Sequence, residues 1–218
     1  RTIHFLPPYR HDNLIRIATW MNIAIQEVKN HVSLPLIKSI VAQRSIKEPV
    51  EVQEMHKAAL LTSDMHLTAM KYAKPGMKEY EIVSAVHQKA IAGGGELSFP
   101  IILTVNGETL HNHYHGNTIQ EGQMILCDAG AETAMHYAGD MTCTFPVGKT
   151  FTSRQKDIYN IVLRTHEAAV DMLRPGILYR DIYLQAAENI FSGLKDLGIT
   201  KGDPKEAVMA GAHAMFFQ

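Results

Sequence analysis

The chain has 218 residues, with 46% hydrophobic and 20% charged residues and a formal net charge of -1. This is ordinary globular composition for one large domain or two small ones, and it excludes fibrous and disordered classes. No apolar run approaches the roughly 18 residues that span a bilayer, and no run of like charge points to nucleic acid.

In chain order, the apolar stripe of Leu14, Ile17, Ala18 and Met21 predicts a helix from Asp12 to about His31. Residues 33–37 break that periodicity. A second helix is predicted from about Pro49, where a missing N–H costs little, to about Tyr72. The main domain boundary is placed near residue 45, giving residues 1–44 and 45–218 as separate units.

Self-comparison then shows a repeat. Lys74-Pro75-Gly76-Met77-Lys78-Glu79-Tyr80-Glu81-Ile82 recurs as Arg174-Pro175-Gly176-Ile177-Leu178-Tyr179-Arg180-Asp181-Ile182. Each copy stops a long helix with Pro-Gly and opens an amphipathic one, expected to end at Gly93 and Gly193. A duplicated half-domain is the implication. Between the copies, residues 98–106, 124–130 and 137–146 are predicted strands. Thr152 and Gln155 form a capping box for a helix running to Leu173. The layout is α+β, helices over an antiparallel-type sheet.

A hairpin centred on Ala134 would set Asp128 directly opposite Asp140, each six residues from the centre. Like charges so close repel unless something neutralises them. A divalent cation would do so, and carboxylates suit hard ions such as Mn2+ or Mg2+. Alternatively one Asp serves the turn, or one is protonated. The same register sets Cys127 and Cys143 on the other face, diagonally offset beyond disulfide reach, as buried free thiols. Two cysteines fit a reducing compartment, here taken as the cytoplasm.

His111, His113 and His115 alternate on an extended segment and would face one side. They could bind zinc, nickel or copper, or form a polar loop, or supply one histidine that donates to developing negative charge.

Asp128-Ala129-Gly130-Ala131-Glu132 followed by Tyr137-Ala138-Gly139-Asp140-Met141-Thr142 closely resembles the paired-aspartate signature of Xaa-Pro aminopeptidases and prolidases. These are "pita-bread" metallopeptidases, as is methionine aminopeptidase. The resemblance takes in Arg44-Ser45-Ile46-Lys47, Ser98-Phe99-Pro100, His113-Tyr114, Phe145-Pro146-Val147-Gly148-Lys149 and Arg174-Pro175-Gly176, roughly residues 44–218. It implies a pseudo-twofold α+β domain, incomplete at its C-terminus, with residues 1–44 a remnant of an N-terminal domain. It also implies two divalent metal ions (manganese, cobalt or zinc) held by two Asp, one His and two Glu. Asp128 and Asp140 match the two Asp positions, with Asp140 bridging, and His113 matches a histidine that contacts substrate. The implied substrate is a peptide with proline in second position, and a homo-oligomer is compatible. A prolidase acting on Xaa-Pro dipeptides, or an inactive relative used for binding, are the alternatives.

In the family, the ligand histidine lies in a His-Gly-Leu-x-His stretch just after a segment like residues 212–217, with both glutamates further on. The chain starts with Arg and closes on apolar residues 214–217 before Gln218, so both ends read as cuts through a longer protein. The 218-residue chain alone is expected to hydrolyse nothing. Cys143 departs from the family, where arginine is common between two threonines.

Overall fold

The computed structural model describes residues 3–148 and 150–215. The expectations resting on Lys149 and on residues 216–218 fall outside that range.

Four α-helices open the chain: α1 (His11–Met21), α2 (Leu34–Ser45), α3 (Pro49–Tyr72) and α4 (Glu79–Ala92). The helix expected from Asp12 to His31 is two pieces. Asn22 turns left-handed at φ 51 and ends α1, and a 3-10 helix covers Ile25–His31. The break expected at residues 33–37 is instead the start of α2. The Ser33 hydroxyl accepts from the Leu36 N–H at 3.3 Å, and Pro35 occupies the first turn. A serine-proline opening was thus a start signal, not a stop.

Strands follow: β1 (Glu96–Leu97), β2 (Ile102–Thr104), β3 (Met124–Ala129), β4 (Ala131–Glu132) and β5 (Met141–Pro146). Of the strand expected over residues 98–106 only Ile102–Thr104 forms, after Pro100, which has no N–H for a ladder. β2, β3 and β5 form an antiparallel sheet in that order, and β1 pairs with β4. β3 alternates strictly: Ile125, Cys127 and Ala129 are buried, while Met124, Leu126 and Asp128 are half-buried on the other face. The buried face meets Met65 and Ala69 of α3 and Ile82, Val86 and Ala90 of α4, with Leu103 and Phe145 in the same cluster.

α5 (Ser153–Met172), α6 (Tyr179–Asp196), α7 (Pro204–Met209) and a 3-10 turn (Ala212–Met215) complete the described chain. The capping box at Thr152 and Gln155 forms as expected. The two Pro-Gly turns share one geometry, with Gly76 and Gly176 both at φ 90, a backbone that favours glycine. Gly193 does not end its helix, however. α6 continues to Asp196, and a Cβ at Gly193 would stand 2.6 Å from Ile161 Cγ2. That glycine lets α5 and α6 approach. The two helix pairs joined by equivalent turns, with strands between them, fit the pseudo-twofold α+β domain that the sequence resemblance implies.

Candidate active site

The hairpin of β3–β4 and β5 fixes the acidic pair. Its register runs Cys127↔Cys143, Asp128↔Thr142, Ala129↔Met141 and on through Glu132↔Ala138. The centre is therefore Met135, not Ala134. A turn closes there with the Thr133 N–H donating to Tyr137 O and His136 left-handed at φ 61. Asp128 opposes Thr142, and Asp140 lies two residues before Thr142 at the mouth of β5. The direct opposition expected of the two carboxylates is therefore not formed. Extending the alternation of β5 back by one residue puts Asp140 on the face of Asp128, offset diagonally, where neighbours stand roughly 7–8 Å apart. Asp128 is half-buried and Asp140 exposed.

The cysteines move with the register. Cys127 and Cys143 are directly opposed, not diagonal, which corrects the offset expected for them; both are free thiols, Cys127 fully buried. Sequence reading missed their third partner, His66 of α3. Its Nδ1 lies 3.0 Å from Cys143 Sγ, and its Nε2 donates to Ala129 O at 3.1 Å. A hydrogen bond from Cys127, together with His66, holds the Cys143 thiol down at about 5 against the cost of burial. That same hydrogen bond and burial push Cys127 up. Burial pulls His66 down, but its hydrogen bond and charge interaction with Cys143 outweigh it and raise the imidazole. The three side chains form one hydrogen-bonded cluster on the core side of the hairpin, opposite the face that carries Asp128.

Tight backbone contact sets the end of the hairpin. The Ser98 N–H donates to Gly130 O at 3.0 Å, and its hydroxyl donates to Gly139 O at 2.8 Å. Thr62 of α3 accepts from the Ala131 N–H at 3.0 Å. Gly139, the residue before Asp140, is buried against Thr62 and Ala58.

The histidines do not share a face. His111 is left-handed at φ 50, which breaks the extended run. His115 is half-buried, with Nδ1 3.2 Å from Leu103 O, while His111 and His113 are exposed. The Asn112 side chain accepts from the Tyr114 N–H at 2.9 Å, turning the loop at His113. Leu103 pairs with Cys127 and Ile102 with Asp128, so the anchor of His115 is on the strand next to Asp128.

Two carboxylates on one face offer hard oxygen donors of the kind divalent cations take. Among the described residues no three His, Cys, Asp or Glu gather closely enough to hold a metal ion. The chain fits such an ion as a partial donor set. A groove of about 750 Å³ lies elsewhere, lined by Arg44, Lys47, Glu51, Met55 and Tyr137 among others, and none of Asp128, Asp140 or His113 borders it.

The pattern that defines metallopeptidase family M24 matches residues 53–208, well over half of the chain. An Xaa-Pro aminopeptidase of Escherichia coli strain K12 is 35% identical over 179 residues, 80% of this chain and 40% of the relative. A human Xaa-Pro dipeptidase is 32% identical over 212 residues, 94% of this chain and 42% of the relative. Among solved structures, zinc-substituted E. coli aminopeptidase P in complex with product aligns at TM-score 0.75 and 35% identity, covering 79% of this chain and 40% of that one. Pseudomonas aeruginosa aminopeptidase PepP aligns at TM-score 0.83 and 29% identity, covering 96% and 49%. The chain thus spans about two-fifths of the curated relatives it matches. With a matched pattern running from α3 through α7 and the paired-aspartate hairpin at its centre, this chain belongs to metallopeptidase family M24.

Proposed function

We propose that the protein containing this chain is an aminopeptidase that releases the N-terminal residue from peptides with proline in second position. The observation that carries the reading is the placement of Asp128 and Asp140 on one face of a tightly stapled hairpin, beside the strand that anchors the histidine loop. Relatives named Xaa-Pro aminopeptidase and Xaa-Pro dipeptidase support the class.

In this reading Asp128 and Asp140 are metal ligands for a pair of divalent ions, manganese first, with cobalt or zinc as alternatives. Such ions, when bound, polarise a scissile carbonyl and acidify water. Asp140, exposed just before β5, would be the carboxylate shared by the two ions, as the family resemblance implies. His113 donates a hydrogen bond to the oxygen on which charge develops; its exposure and its place at the loop bend leave its ring free to meet a peptide. Residues 1–44 belong to a preceding domain and residues 45–218 to the catalytic one. The reducing compartment implied by two free thiols is the cytoplasm.

The second reading is a prolidase, favoured by the human dipeptidase match over 94% of this chain. Full-length protein loaded with Mn2+ and offered an Xaa-Pro dipeptide and an Xaa-Pro-Xaa tripeptide separates them. Faster release from the tripeptide supports the aminopeptidase. Exclusive cleavage of the dipeptide moves the assignment to prolidase, and loss of neither activity in Asp128→Asn or Asp140→Asn overturns both.

A further inference from the structure

Glu79 opens α4 as its first helical residue and is completely buried. A buried carboxylate needs donors or a counter-charge, since an unsatisfied one costs several kcal/mol. Its donors come from both ends of one loop. Oε1 accepts from the Val105 N–H at 2.8 Å, just past β2. Oε2 accepts from the Asn117 N–H at 3.3 Å, and the Asn117 side-chain amide reaches both oxygens at 3.1 and 3.0 Å. The backbone around Glu79 grips the same stretch: its own N–H donates to Asn117 O, the Tyr80 N–H donates to His115 O at 2.9 Å, and Lys78 Nζ donates to Gly116 O at 3.2 Å. The loop so closed carries His111, His113 and His115.

The repeat supplies an internal control. The turn at Gly176 has the same φ of 90 as the turn at Gly76, and a helix follows each. In the second copy the position of Glu79 is Tyr179, which is 81% exposed. Neither the turn nor the helix start therefore needs a buried acid. Among the described residues, the histidine loop lies against the first copy.

We infer that Glu79 is a positioning residue for His113: by joining Val105 to Asn117 it fixes the base of the loop and so the place of the imidazole relative to Asp128. His113 is only two residues from His115, whose carbonyl and ring are both held, so a slackened base reaches it directly. This rests on the reading of His113 as a substrate-contacting residue.

The test is steady-state hydrolysis of an Xaa-Pro peptide by the full-length, Mn2+-loaded protein carrying E79Q, H113A or both. The amide introduced by E79Q would turn an N–H toward the donors of Asn117 and loosen the clamp. Displacement of a reacting group by about 1 Å costs on the order of 100-fold. E79Q should thus lower kcat roughly 10- to 100-fold with KM within about threefold, and H113A should lower it at least as far. The double variant should be no slower than H113A alone, because two residues acting through one group are not additive. A merely structural Glu79 would instead give losses that multiply, or a change in KM alone, and either result overturns the inference, as does an unchanged kcat in E79Q. Should E79Q not fold, N117A, which removes the side-chain donor from the opposite side, is read by the same criteria; failure of both to fold assigns Glu79 to folding and overturns the inference too. An unchanged kcat in H113A overturns the reading of His113 itself, which distinguishes that failure from one confined to Glu79.

Discussion

Gly130 and Gly139 pass so closely that a Cβ on Gly130 would stand 1.9 Å from the Gly139 carbonyl oxygen. Ser98 hydrogen-bonds both carbonyls, and Asp140 follows directly in the chain. The two glycines are where the acidic pair acquires its spacing.

Replacing either glycine by alanine should therefore act on stability and on the site together. A methyl on Gly139 would meet Thr62 Oγ1 at 2.2 Å and the Ala58 carbonyl oxygen at 2.8 Å, and backbone cannot give way cheaply. Overpacking of this kind costs about 1–3 kcal/mol. Urea denaturation of G130A and G139A should show lower midpoints at unchanged m-value. Midpoints equal to wild type would mean that the hairpin is looser than the contacts indicate.

Metal binding by the 218-residue chain should be weak and should depend on both carboxylates. With no three candidate ligands together among the described residues, a stable site is not assembled. Calorimetric titration with Mn2+ should give a shallow isotherm that D128N or D140N flattens further, and no Xaa-Pro peptide should be cleaved. Tight binding that survives D128N would move the site away from the hairpin.

Cys143 should react as a thiolate at mildly acidic pH. Its folded value of about 5 lies well below the ordinary thiol range, so the contribution to stability is present above that range and is lost as pH falls through about 5. His66 is raised, so its contribution is present below the ordinary imidazole range and is lost as pH rises through the folded value. Both groups are charged together only above about 5 and below the raised value of His66. Alkylation of Cys143, followed by mass spectrometry, should change little between pH 6 and 7.5, whereas an ordinary thiol slows about tenfold per pH unit. H66A should restore that steep dependence, and Cys127, buried and pushed up, should stay unlabelled.

Leu103 should be among the costliest side chains to truncate. It is fully buried between the helices and β3, and its carbonyl faces the His115 ring. L103A should lose roughly 2–5 kcal/mol, and conservative I125V about 0.5–1.5 kcal/mol. Thermal unfolding by calorimetry checks the ranking, and a cost for L103A no greater than for I125V would remove Leu103 from the core.

The sequence by itself determined what local chemistry controls. Pro-Gly stops, the Thr152 capping box, α3 with proline in its first turn and the duplicated turns at Gly76 and Gly176 were all legible, because each depends on residues within a few positions of one another. Alternation in β3 likewise put Asp128 on the face opposite Cys127. Tertiary structure decided everything that depends on which distant segment arrives. Hairpin register was set by the turn at Met135 and by the staple from Ser98, so Asp128 faces Thr142 and Cys127 faces Cys143. His66 meets Cys143 and Ala129 only because α3 lies across β3 and β5, which no local pattern in α3 specifies. Glu79 sits in the first turn of α4, and it is buried only because two ends of a loop, residues 105 and 117, close over it; burial is a property of the assembled layers, and no local pattern announces it.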